Sequence, residues 1–273
     1  MQENESPYFC AMLELQEQAL LGEWYHYVLL VTTGFVVGFI NTVAGGGSLL
    51  SLPVLIFLGL PPSVANGTNR VAIVIQAALA VVGFKSKGVS TAPFNIYLGF
   101  AAFFGAIIGA YIAVDIDGET FNKILAGIMV AVVLLIIFKP KMKLAEMQER
   151  VTGKYLWIGI AVFFLFGIYG GFINAGLGFI IILFLHYVNQ MTLVRSNATK
   201  VAVVFIYTLA ALAVFILNDK VNWKVGLILA IGNGSGAFIA SRVSVDKGDG
   251  FIKLFIVIMV LIMAVKLWFF NLT

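Results

Sequence analysis

Gly38-Phe39-Ile40-Asn41-Thr42-Val43-Ala44-Gly45-Gly46-Gly47-Ser48, followed by Asn66-Gly67-Thr68-Asn69-Arg70-Val71-Ala72, is the stretch on which the reading of this chain turns. A near copy lies downstream: Gly171-Phe172-Ile173-Asn174-Ala175-Gly176-Leu177-Gly178, followed by Ser196-Asn197-Ala198-Thr199-Lys200-Val201-Ala202. In each copy a polar, glycine-rich break interrupts an apolar run. A basic residue then stands just inside the next apolar run. Non-helical backbone at membrane depth is tolerated only where protein buries it or a watery cavity receives it. Paired breaks in the two halves of a membrane chain are the best sequence pointer to a transport site.

Composition places the breaks in a membrane. Of 273 residues, 61% are hydrophobic and 11% charged, whereas a soluble domain carries about 25% charged residues. The apolar runs do not alternate, which excludes a β-barrel. The pI of about 9.1 reflects Lys and Arg in the loops, as expected of a membrane protein. No basic run is interleaved with aromatics, so nucleic acid is not an expected partner. Cys10 is the single cysteine, which excludes an intrachain disulfide and a Cys-based metal cluster. The acidic N-terminus lacks the basic start of a signal peptide. Residues 8–21 read equally as a short surface helix or a disordered lead-in.

Long apolar spans are expected at 25–44, 68–84, 94–114, 121–138, 155–174, 198–217, 223–242 and 251–270. Each is near the ~20 residues a membrane helix needs. Two shorter runs, 48–60 and 178–188, follow the breaks and read as half-helices or re-entrant segments. The repeat extends further: Gly105-Ala106-Ile107-Ile108-Gly109 matches Gly232-Asn233-Gly234-Ser235-Gly236. These small residues suit close helix packing. The expected fold is an all-α polytopic membrane protein of two homologous repeats, each of four long helices and one short broken helix. Residues 1–24 form a lead-in, 25–138 the first repeat, 139–154 a linker and 155–273 the second repeat.

The linker carries Lys139, Lys141, Lys143, Arg150 and Lys154, so it is expected in the cytoplasm together with the Lys85–Gly88 loop. If the short segments turn back there are eight spans and the repeats are parallel. If they cross there are ten and the repeats are inverted. Segment length favours eight. The distribution of Lys and Arg favours ten, and the inverted arrangement is preferred on that ground.

All 13 Asp and Glu residues fall outside the spans or at their edges. Proton- and sodium-coupled pumps usually keep an intramembrane carboxylate. Coupling must then use the substrate's own proton, a backbone-carbonyl ion site or a downhill gradient. Arg70 and Lys200 are ionisable groups set inside spans at matched positions. One reading is an anion site, because a guanidinium fork fits a sulfonate, carboxylate or phosphate. The other is snorkelling from a helix start, which is also the reading of Lys266. Asn41 and Asn174 are expected either to cap the broken helix or to bind a ligand. Gly45, Gly46 and Gly47 lead into Ser48, where exposed helix N–H groups attract anions. Gly176 and Gly178 are the second copy. Asn66 and Asn197 read as caps of the following helix, while Thr68, Asn69 and Thr199 are expected to line the cavity. Gln76 reads as a helix–helix contact. His26 and His186 lack ligand partners at useful spacing, so no metal site is expected. No phosphate-binding loop points to ATP, and no cofactor is expected.

Asn41-Thr42-Val43-Ala44-Gly45-Gly46-Gly47-Ser48, with Leu60-Pro61-Pro62 and Asn66-Gly67-Thr68-Asn69, resembles the TauE/SafE family of membrane permeases, described as sulfite or organosulfonate exporters. The similarity covers essentially the whole chain, with the degenerate copy at Asn174–Gly178 and Asn197–Lys200. The resemblance implies a multi-pass protein of a bacterial inner membrane that moves small sulfur-containing anions such as sulfite or sulfoacetate. The open alternatives are an anion channel and a permease for another small organic anion. An intramembrane enzyme and a metal exporter lack the residues they need.

Overall fold

The computed structural model describes residues 24–137 and 148–270. Residues 1–23 of the lead-in, residues 138–147 at the start of the linker and the side chain of Lys266 lie outside the described residues. Among the described residues every regular element is an α-helix: α1 Trp24–Val43, α2 Ser48–Phe57, α3 Pro62–Ser86, α4 Phe94–Asp115, α5 Gly118–Ile137, α6 Lys154–Phe172, α7 Leu177–Tyr187, α8 Leu193–Leu217 and α9 Trp223–Phe270. α9 is broken at Gly248, where φ is 70° and ψ −170°, a conformation essentially confined to glycine. Its two parts cover the stretches 223–242 and 251–270, which were expected as separate spans. Among the described residues, six helices are long and apolar enough to cross a bilayer. The chain is a multi-pass integral membrane protein.

Two boundaries depart from expectation. α3 begins at Pro62 and α8 at Leu193, each about one and a half turns before the expected span start. Pro62 sits in the first turn of α3, where a missing N–H costs nothing. At α8, Thr192 accepts from Arg195 N. Asp249, placed by the Gly248 corner, accepts from Leu193 N and Val194 N, both at 2.9 Å. The free N–H groups of that helix start are therefore capped from another element. Asn66 to Asn69 and Asn197 to Thr199 lie inside helices, so the expectation that Asn66 and Asn197 cap the helix that follows them is overturned.

Helix directions follow from close backbone approaches. A methyl on Gly34 would strike Leu229, and one on Gly38 would strike Asn233. The numbers rise together, so α1 and the first part of α9 run parallel. In the same way Gly167 meets Ala102 and Gly171 meets Ala106, so α6 and α4 run parallel. Gly232 and Gly236 press on Val31 and Phe35 of α1, while Gly105 and Gly109 press on Phe164 and Ile168 of α6. Small residues let these backbones touch, which is how helices associate without water to drive them. Each glycine pair thus packs its helix against the other half of the chain.

α3 follows α9 in parallel, through Val71 beside Gly226 and Leu79 beside Gly234. It runs antiparallel to α8, because Gly67 and Arg70 lie at Phe215 while Gln76 and Ala77 lie by Lys200 and Val201. The loops sort to two ends. Lys87 pairs with Asp246 at 2.7 Å, and Arg150 N donates to Asn189 O at 2.8 Å. Those contacts gather the α3–α4 loop, the linker end and the α7–α8 loop. At the opposite end Gly118 lies against Pro62, and Asn222 N donates to Thr68 Oγ1 at 2.9 Å. α1 and α3 start at this second end, so α2 carries the chain back to it between them.

Candidate functional site

The last four carbonyls of an α-helix have no partner within it. At α6 every one is met. Tyr169 O accepts from Ile173 N and Asn174 N. Gly170 O and Gly171 O accept from the Arg70 guanidinium at 2.5 Å and 2.8 Å. Phe172 O accepts from Asn66 Nδ2 at 2.7 Å. α1 ends the same way. Ile40 O accepts from Ala44 N and Gly45 N. Asn41 O and Thr42 O accept from Lys200 Nζ at 2.9 Å and 2.8 Å. Val43 O accepts from Asn197 Nδ2 at 2.9 Å. Each broken helix is thus closed by one cation and one asparagine from the other half. Positive charge there also complements the helix dipole.

Neither cation snorkels: Arg70 is 0% and Lys200 2% exposed. Lys200 spends its third donor on Asn197 Oδ1 at 2.8 Å. Arg70 adds Asn66 Oδ1 at 3.3 Å and lies over the Phe215 ring. Among the described residues no carboxylate forms an ion pair with either.

Between the two breaks is a small cavity lined by Asn41, Gln76, Ala77, Asn174, Gly178, Lys200, Val201 and Val204. Its volume is about 10 Å³, room for about one water. Asn41 Nδ2 donates to Gln76 Oε1 at 3.1 Å. Asn174 Oδ1 accepts from the Tyr207 hydroxyl at 2.5 Å. Asn174 holds a φ of 57°, the left-handed conformation that asparagine tolerates. The N-termini of α2 and α7 lie side by side here. Ser48 Oγ donates to Asn174 O at 3.1 Å, and Gly45 and Gly178 meet through their backbones. Gly45 combines that approach with a φ of 86°, so a side chain would be strained as well as blocked.

Of the expected site residues, Asn41, Asn174, Gly178 and Lys200 line the cavity, with Gly45 and Ser48 packed behind it. Gly47 is pressed on Val37 and Asn41 of α1. Gly176 turns the chain into α7, and Gly46 lies in the connection between α1 and α2. Arg70 is one break away, on the α6 end. Thr68 caps the start of α9 through Asn222, and Thr199 Oγ1 donates to Arg195 O at 2.9 Å. Neither lines the cavity. Asn69 is absent from it too, its Oδ1 buried without a partner. Gln76 is the helix–helix contact expected, and it is also part of the cavity wall, which the spacing from Arg70 did not suggest. Tyr207 was missed: a phenol in an apolar run gives no periodic signal. His186 Nδ1 lies 2.9 Å from Met191 O, holding the α7–α8 turn.

A membrane protein whose two broken helices end on each other's halves around a shared polar cavity is the class these observations define. The chain belongs to the sulfite exporter TauE/SafE family, whose model matches residues 30–267. A probable membrane transporter protein of Haemophilus influenzae is 30% identical over 88% of this chain and 93% of its own length. The probable membrane transporter protein YfcA of Escherichia coli is 27% identical over 88% of both chains. YunE of Bacillus subtilis, also described as a probable membrane transporter protein, is 22% identical over 80% of this chain and 88% of its own. No solved structure matches the chain.

Proposed function

We propose that this protein is a secondary transporter that exports a small sulfur-containing anion, such as sulfite, sulfoacetate or another organosulfonate. The family and the relatives support the transporter class. The cavity supports the location of the site. Its wall combines the Lys200 ammonium, the Asn41, Asn174 and Gln76 amides and the start of α7 at Gly178. Amide donors, a cation and helix N–H groups are what an oxyanion needs, and among the described residues no carboxylate lines the wall. The single observation that carries the reading is this polar cavity at the meeting of the two breaks.

Closure supports a carrier over a channel. A channel needs a continuous pore, whereas this cavity holds about one water. An oxyanion would enter only when the two halves part. Matching contacts on antiparallel α3 and α8 support inverted repeats, which alternate access by rocking about a central site. The reading involves no enzymatic step and no cofactor.

The test is binding followed by flux. Purified protein is heated with sulfite, sulfoacetate, taurine, acetate or sulfate, since a ligand of the folded state raises apparent stability. A sulfur anion that stabilises the wild type and not Asn41→Ala supports the reading. Equal stabilisation of both removes Asn41 from the site, and a shift with acetate alone replaces the sulfur anion with a carboxylate.

A further inference from the structure

We infer that Arg70 and Lys200 are tethered cations standing where other transporters bind a coupling sodium ion, so that this transporter runs without one. The inference deepens the transporter reading and rests on it for its functional half. Its structural half stands alone.

In transporters built on broken helices, the exposed C-terminal carbonyls of the half-helix form the cage that coordinates sodium. Both such ends exist here, and both are full. At α1, Lys200 Nζ sits 2.9 Å from Asn41 O, 2.8 Å from Thr42 O and 2.8 Å from Asn197 Oδ1. That is one positive charge held by three oxygens, from two backbone carbonyls and one amide. At α6 the Arg70 guanidinium is held by Gly170 O, Gly171 O and Asn66 Oδ1. Each asparagine also donates to the last carbonyl of the helix. An ion entering either end would have to displace a covalently attached cation of equal charge.

Two positions fix the charge to the fold. Both cations are buried, and among the described residues neither has a carboxylate in an ion pair. The carbonyls are therefore their counter-charge, through the negative end of the helix dipole. Lys200 lines the cavity as well. Its three donors are all spent on Asn41 O, Thr42 O and Asn197 Oδ1, so it would act on the anion through its charge alone. A covalently tethered cation would thus do for substrate charge what a bound sodium ion does elsewhere.

Removing the tether should restore the vacancy. Lys200→Ala deletes the ammonium and leaves Asn41 O, Thr42 O and Asn197 Oδ1 facing one space. Purified wild type and Lys200→Ala are heated in sodium, potassium or methylammonium chloride, against N-methyl-glucamine chloride at equal ionic strength. The expected result is no cation-specific shift for the wild type. Lys200→Ala should gain a saturable upward shift of several degrees with at least one small cation, as ligand linkage requires. Small cations that leave the variant unmoved overturn the inference, as does a sodium-specific shift of the wild type. Where Lys200→Ala fails to fold, Arg70→Ala is read by the same criterion, and the wild-type result decides by itself. Flux separates the two readings. Sulfite flux from wild-type vesicles that persists when N-methyl-glucamine replaces sodium supports the inference, and flux abolished by that replacement overturns it. Vesicles with no sulfite flux in any salt count against the sulfur-anion reading, while the melting shifts still decide the tether.

Discussion

Gly45 and Gly178 touch backbone to backbone, each occupying the space a side chain on the other would need. The contact joins the break after α1 to the start of α7 and so closes the cavity from one side. Gly178→Ala inserts a methyl group into it. Overpacking of this kind costs about 1–3 kcal/mol, so a lower melting temperature is expected, with flux reduced more than stability alone explains. A variant that melts and transports like the wild type would mean that the two breaks do not need to meet.

Arg70→Ala strands two buried carbonyls, Gly170 O and Gly171 O, at roughly 1–3 kcal/mol each. Lys123→Ala removes a solvent-exposed pair with Glu119 four residues away, which is worth about 0.2–0.5 kcal/mol. Thermal unfolding in detergent should separate the two variants clearly. Equal losses would show that the α6 end finds other partners.

Asp249 reaches across from the Gly248 corner to the first two N–H groups of α8. Asp249→Ala removes that cap and should destabilise the protein by about 0.5–2 kcal/mol. Asp249→Asn, which keeps an acceptor, should recover part of the loss. Identical behaviour of the two variants would point to charge alone.

The end-to-end course of α2 is open to labelling. With Cys10→Ser as background, Gly59→Cys lies in the α2–α3 loop and Gly88→Cys in the α3–α4 loop. The end of the linker shares an end of the molecule with Gly88, and its Lys and Arg residues make the cytoplasm the expected side for both. Gly59→Cys should react with an impermeant thiol reagent from outside, and Gly88→Cys only after permeabilisation. Trp24→Cys, at the start of α1, should react from outside as Gly59→Cys does; reaction of Trp24→Cys only after permeabilisation would return α2 to a re-entrant segment.

Much of this architecture was legible in the chain. The runs after Gly47 and Gly176 gave themselves away as short, and Gly105 and Gly232 as packing positions. What was not legible is which half each residue serves. Asn66 and Gly67 read as lying before the span that starts at Thr68, because polar residues inside a membrane helix are costly. The cost is offset at Asn66 by Phe172 O and at Thr68 by Asn222 N of the opposite half, and no local pattern reports a partner more than 100 residues away. For the same reason Arg70 and Lys200 stood out as cations at matched positions inside spans but not as closures of helix ends. Asn233 shows the limit from the other side: it sat in a glycine-rich packing motif, yet the structure buries its amide with neither polar atom paired.

The account's central claim is that a sulfur oxyanion is carried at the cavity between the two breaks. The most direct measurement is sulfite counterflow in vesicles containing wild type, Asn41→Ala or Gln76→Ala. The account predicts saturable counterflow for the wild type and its loss in both variants, with melting temperatures that still report a folded protein. Saturable counterflow that survives in both folded variants would contradict it, because the site would then lie elsewhere.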